Sequence, residues 1–130
     1  MNRLLRNAVI AGAAGLLVIG VNACDDPDER AASVMTQGGQ PQQGKAAINA
    51  YGCGTCHTIP GVRGADALVG PPLTSMGQRS YIGGVMKNTP ANMIRWIRDP
   101  PGVDPMTAMP KLNVSESDAR DIASYLYTLK

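Results

Sequence analysis

The five residues Cys53-Gly54-Thr55-Cys56-His57 constrain the chain more than any other stretch. They hold two of its three cysteines and its only histidine. A structural zinc site needs four protein ligands, and no further cysteine or histidine is placed to complete one. A thioredoxin-like thiol pair belongs beside a strand-helix-strand pattern, which the sequence lacks. A simple Cys53–Cys56 disulfide accounts for neither His57 nor the shortage of core material: the chain has no Phe, one Trp and four Tyr in 130 residues.

The remaining reading is covalent haem attachment by C-x-x-C-H. Two thiols at this spacing meet the two vinyl groups on one edge of a porphyrin, and the histidine beside the second thiol turns its imidazole to the iron. A single covalent haem c then serves as the missing core, and the Gly- and Pro-rich loops between Thr58 and Asn88 have something to wrap.

The segments on either side divide the chain. Arg3 and Arg6 precede Ala8–Val21, fourteen uncharged and mostly apolar residues. That is a secretory signal in form and short for a membrane span. Cleavage after Ala23 would leave Cys24 as an odd free thiol. "VNAC" also resembles a bacterial lipobox, with Val21 where Leu is commoner, and Cys24 is then the lipid-modified first residue. We expect residues 1–23 to be a lipoprotein signal peptide. The acidic and then Gln/Gly-rich residues 24–43 lack apolar periodicity and read as a lipid-anchored flexible linker, about 25 Å in coil dimension. Charge separates accordingly, at −3 over Asp25–Arg30 and +3 from Gly44 onward. By the sorting rule of enteric bacteria, Asp25 beside the cysteine implies retention at the inner membrane. The expected location is the outer, periplasmic face of the cytoplasmic membrane.

From residue 44 onward the pattern is all-α. A short helix covers "QGKAAINAYG", with Ala47, Ile48 and Tyr51 at helical spacing. A second covers "TPANMIRWIRDPP", with Thr89 as cap, Pro90 in the first turn and Pro100-Pro101 as stop. A third covers "SESDARDIASYLYTLK", with a Ser115/Asp118 capping box and an apolar stripe of Ala119, Ile122, Ala123, Leu126 and Leu129. No strand is evident.

"GCGTCH", "VGPPL", "NMIRWIRDPP", "TAMPKL" and "DARDIASYLYTL" together resemble the class I cytochrome c family over residues 44–130, especially small bacterial forms and the cytochrome domains fused to oxidase subunits. The resemblance implies an all-α fold of three to five helices with long loops around the haem. It implies Cys53 and Cys56 as thioether residues, His57 as proximal ligand and the Pro71 carbonyl as acceptor from its other ring nitrogen. The distal ligand is a methionine before the last helix. Met109 in "TAMPKL" fits the pattern, with Met106 the alternative. Trp96, Arg79 and Tyr81 are implied near the haem edge and propionates. Tyr125 is expected to pack on the first helix at Gly44 or Ala47.

An iron closed by His and Met suits a one-electron carrier rather than an enzyme. The sole histidine leaves none for a Ser–His–Asp set, and a second C-x-x-C-H for a di-haem peroxidase is absent. Near-balanced charge without an aromatic-interleaved basic stripe gives no support to nucleic-acid binding. No small-molecule substrate is expected. The implied function is a membrane-tethered cytochrome between respiratory complexes. Its donor would be a quinol-oxidising complex or a dehydrogenase, and its acceptor a terminal oxidase or reductase. The alternatives are a fixed haem subunit of a larger oxidoreductase and a gas-binding haem sensor.

Overall fold

A computed structural model describes residues 26–130. The signal segment and Cys24 lie outside them. Five helices follow in order: α1 (Pro27–Met35), α2 (Pro41–Ala50), α3 (Pro90–Arg98), α4 (Pro100–Val103) and α5 (Glu116–Thr128). Single 3₁₀ turns form at Cys53–Thr55 and Met76–Gln78, and a two-residue hairpin pairs β1 (Tyr81–Ile82) with β2 (Met86–Lys87). The chain is all-α in class.

The centre of the molecule is α5. Ser115 caps it, its Oγ accepting from the Asp118 amide at 3.1 Å. Every residue from Ile122 to Tyr127 is buried, which is wider than the apolar stripe in the sequence. The reason is that α1, α2, α3 and the Met76–Gln78 turn all pack around the same helix. The most extensive of these contacts is with α2. Gly44 makes it possible: a β-carbon there would overlap the Asp121 carbonyl of α5. Ile48, one turn on, is 1% exposed in the core that follows.

The α3 helix begins as its sequence indicates, with Thr89 Oγ1 accepting from the Asn92 amide at 3.3 Å. Met93 and Ile97 face the core. Its end differs from expectation. The helix breaks at Asp99, with φ −150°, and the two prolines start the separate turn α4 rather than a loop. Proline suits a first helical turn, so a Pro pair both ends one helix and opens the next. The hairpin was also not anticipated, because two-residue strands are too short to show alternation. Its turn uses Gly83 and Gly84 at φ +56° and +75°.

The largest departure is upstream. Residues 24–43 were expected to form a flexible linker, but within them lie all of α1 and the start of α2. Asp26 caps α1 by accepting from the Asp28 amide at 2.9 Å. Asp28 and Glu29 in the first turn suit the helix dipole. Ala32 and Thr36 are buried against α5, 2% and 1% exposed. Gly39 follows at a point with no room for a side chain, since a β-carbon would lie 2.6 Å from the Arg120 carbonyl oxygen. Buried Ser124 donates to the Gly39 carbonyl at 3.1 Å, and the Gln40 amide donates to Asp121 Oδ1 at 2.8 Å. Lys130 pairs with Asp28 and Gln42 donates to Glu29. The sequence hid this helix because it packs through alanine, threonine and glycine rather than large apolar residues. Among the described residues, no helix is long and apolar enough to cross a membrane.

Candidate functional site

The C-x-x-C-H residues sit where α2 ends. Gly52 takes the left-handed conformation, φ +71°, that commonly closes a helix. The Cys53–Thr55 turn follows, with the Cys56 and His57 amides both donating to the Cys53 carbonyl at 3.2 and 3.1 Å. This tight turn brings both thiols and the imidazole onto one cavity. Gly54 has its back to the loop after His57, where a β-carbon would meet Ala65 Cβ at 2.8 Å. Both thiols are free and half-buried. Burial pushes the Cys53 thiol up from its ordinary range, partly countered by a backbone hydrogen bond and reinforced by neighbouring Cys56.

His57 is held on two sides. Its Nδ1 is 2.7 Å from the Pro71 carbonyl oxygen. Its ring lies against Gly70, where a β-carbon would be 2.6 Å from Cε1. The opposing strands of loop are stitched by Gly70 N donating to Cys56 O at 2.7 Å and Leu73 N to Thr58 O at 2.8 Å.

The cavity has a volume of about 340 Å³. Ile48, Ile59, Met93 and Leu126 give it apolar walls, and Met109 lines it together with the residues of the C-x-x-C-H turn. Met109 is half-buried, its amide donating to Thr107 Oγ1 at 3.2 Å. Met106 is 90% exposed and outside the lining. Met76 and Met93 are buried in the core. Two thiols, an imidazole and a thioether converging on one apolar cavity, with glycine where a side chain would block the ring, fit a covalently held haem.

The other predicted residues lie on the same cavity. Trp96 packs on Gly83, where a β-carbon would be 2.8 Å from Cη2. Tyr81 is 57% exposed at the rim. Arg79 Nη2 donates to the Pro72 and Thr74 carbonyls at 2.7 and 2.9 Å, so that nitrogen serves the loop. Tyr125 is buried on α5, the helix against which α2 packs. Its hydroxyl donates to the Pro60 carbonyl at 2.8 Å, over Gly61, while Gly44 meets the α5 backbone. Gly70, Asn88 and Tyr127 were not singled out in the sequence. A loop glycine and a loop asparagine carry no local pattern, and Tyr127 falls outside the apolar stripe of α5.

A second, larger hollow of about 710 Å³ lies between the end of α1, α3 and the start of α5. It is open and lined by charged residues such as Arg95, Arg98 and Glu116, and it holds none of the C-x-x-C-H residues. Its size does not make it the site, because the chemistry is in the smaller cavity.

The cytochrome c family model matches residues 41–130. The chain belongs to the cytochrome c family. Its family carries haem c covalently, and Cys53 and Cys56 are positioned for that attachment. Among curated relatives, the cytochrome c oxidase subunit 2 of Alkalihalophilus pseudofirmus is 34% identical over 89 residues, covering 68% of this chain and 25% of the relative. The same subunit of Bacillus subtilis is 32% identical over 95 residues, covering 68% and 26%. The chain therefore spans about a quarter of the length of the curated relatives it matches. No solved structure matches it significantly. The family match begins at Pro41, so α1 of this cytochrome lies outside it.

Proposed function

We propose that this cytochrome is an electron-transfer subunit working with a terminal oxidase, its haem bound by Cys53 and Cys56 and its iron closed by His57 and Met109. The observation that carries the reading is the convergence of these four side chains on one apolar cavity, with His57 fixed between Gly70 and the Pro71 carbonyl.

When bound, the haem supplies one-electron cycling of its iron. The chain's own residues determine how that happens. The Pro71 carbonyl accepts the Nδ1 proton of His57, which fixes the tautomer and makes Nε2 the coordinating nitrogen and a more basic one. Met109, which lines the same cavity, would favour the reduced iron and close it to exogenous ligands. The apolar walls would limit the water around the bound group.

A fixed subunit is favoured over a free shuttle by the relatives, which are named as oxidase subunits. It is also favoured by α1. With that helix seated on α5, only Asp25 and Asp26 would separate the anchor residue Cys24 from α1. Fully extended, two residues span about 7 Å. Under the lipoprotein reading, Cys24 anchors the domain to the outer face of the cytoplasmic membrane, close to the surface. The mild positive charge of the haem domain suits docking to acidic faces of donor and acceptor complexes.

The test has two parts. Absorption spectra of the exported protein, oxidised and then reduced with and without carbon monoxide, should be low-spin, show the weak sulfur-to-iron band and ignore carbon monoxide. Ready carbon monoxide binding would overturn the closed-iron reading and favour a sensor. Solubilisation of membranes in mild detergent should bring the cytochrome out with oxidase subunits. Release as a lone lipoprotein would return the function to a tethered carrier between complexes.

A further inference from the structure

The position of His57 depends on a carbonyl that the local backbone holds only at its flanks, where Gly70 N donates to Cys56 O and Leu73 N to Thr58 O. Pro71 and Pro72 between them have no N–H to donate, so within this stretch only the carbonyls can be gripped. Pro71 O is taken by His57. The next available carbonyls, Pro72 and Thr74, are both held by Arg79 Nη2. Arg79 can do this only if its own backbone is in place, and that backbone is held from outside the loop by Asn88.

The Asn88 amide group is fully committed. Its Nδ2 donates to Met76 O and to Arg79 O, each at 2.8 Å. Its Oδ1 accepts from the Tyr127 hydroxyl at 2.7 Å. A flipped amide would turn its oxygen toward two carbonyl oxygens, so the Tyr127 hydroxyl and the two carbonyls agree on one orientation. Tyr127 is itself buried, 7% exposed in the last turns of α5. The turn it reaches is pressed on the same helix end. Gly77 N donates to Leu129 O at 2.8 Å, and a β-carbon at Gly77 would lie 2.5 Å from Tyr127 O. Hydrogen bonds thus run from α5 through Tyr127 and Asn88 to Arg79 and on to the Pro72 and Thr74 carbonyls, one residue beyond the Pro71 carbonyl that meets the imidazole.

We propose that Asn88, oriented by Tyr127, is a positioning residue for the iron site: it sets the strength of the His57–Pro71 hydrogen bond and so the reduction potential. The inference rests on His57 being the proximal ligand. Its direction follows from the chemistry. A short Nδ1–H···O bond places more electron density on the imidazole and stabilises the ferric state. Releasing Asn88 slackens the 71–79 loop, weakens that bond and favours the ferrous state.

The experiment is spectroelectrochemical titration of the haem-loaded Y127F, N88A and N88D variants against the parent protein, with the His57 ring N–H followed by proton NMR. Tyr127→Phe keeps the ring and removes only the hydroxyl. Asn88→Asp keeps the shape and sets a carboxylate against the Met76 and Arg79 carbonyls. The expected result is a rise in potential, read as about a three- to tenfold fall in the ferric-to-ferrous ratio at fixed ambient potential, with faster exchange of the His57 ring proton. The Y127F/N88A double variant should shift no further than N88A, because both act on one chain of bonds. If the variants melt earlier but keep the parent potential and ring-proton exchange, Asn88 only supports the fold and the proposal is overturned. If N88A fails to fold, Y127F alone decides in the same way. A parent protein whose iron lacks histidine ligation would overturn the axial assignment itself, and the spectrum shows that before any variant is compared.

Discussion

Gly70 and His57 are in such close contact that a single added carbon would separate them. A β-carbon on Gly70 would lie 2.6 Å from Cε1 and 2.8 Å from Nδ1 of the imidazole. Gly70→Ala should therefore push the ring off the Pro71 carbonyl. The expected outcome is at least a severalfold drop in haem incorporated per protein, measured by pyridine haemochrome, with a perturbed low-spin spectrum in what remains. A G70A protein with full haem content and the parent spectrum would mean that the ring has space to move.

The two methionines before α5 should behave oppositely. Met109 lines the cavity, whereas Met106 is 90% exposed. Met109→Ala should abolish the sulfur-to-iron band and open the reduced iron to carbon monoxide. Met106→Ala should leave both unchanged and alter stability by no more than about 0.5 kcal/mol, as surface substitutions do. The reverse pattern would exchange their roles.

Much of this was legible in the sequence. The haem motif and the caps at Thr89 and Ser115 each rest on residues a few positions apart, so local spacing was enough. The stripe on α5 was legible in part. It showed an apolar face but not the burial of Ser124 and Tyr127, since α1 and the Met76–Gln78 turn also pack on this helix. Helix α1 was invisible for a related reason. Ala32, Thr36 and Gly39 are core residues only because α5 comes within reach of them, and small residues give no hydrophobic period. Asn88 was likewise unreadable, because its importance lies in partners 9, 12 and 39 positions away.

Gly44 should be the most sensitive position outside the haem cavity. Any side chain there must displace the Asp121 carbonyl or separate α2 from α5. Gly44→Val should cost about 3 kcal/mol, at the upper end for overpacking, in the thermal unfolding of the haem-loaded protein. A change below about 1 kcal/mol would show that the two helices part easily.

Acid should loosen the start of α5. Hydrogen bonds from Ser115 and then Tyr51 hold the Asp118 carboxyl below its ordinary range. A depressed folded value means that the ionised group stabilises the fold at neutral pH. That contribution begins to fade as pH falls through the ordinary carboxylate range, near 4, and is gone below the folded value. Asp118→Asn should lower the melting temperature at pH 7 and flatten its decline between about pH 5 and pH 3 relative to the parent. An unchanged slope would remove Asp118 from the acid response.

Helix α1 should come away without taking the haem site with it. Ala32→Asp sets a carboxylate at a position 2% exposed. Burying it unpaired costs about 3 kcal/mol, more than a nine-residue helix can supply alone. Amide exchange should speed up across Pro27–Met35 while the absorption spectrum stays as in the parent. Loss of the spectrum as well would mean that α1 and the haem core unfold as one unit.

The ion pair between Asp28 and Lys130 joins the beginning of the described fold to its last residue. Both ends of the described fold therefore lie at one pole of the domain. A domain with this geometry can be spliced onto the front, the back or the middle of another protein without rerouting its path through the haem core. For the engineer it makes a circular permutant with a short new loop between these ends a realistic design. It also makes the cytochrome domain a portable part, one that can be carried by an unrelated membrane-bound chain.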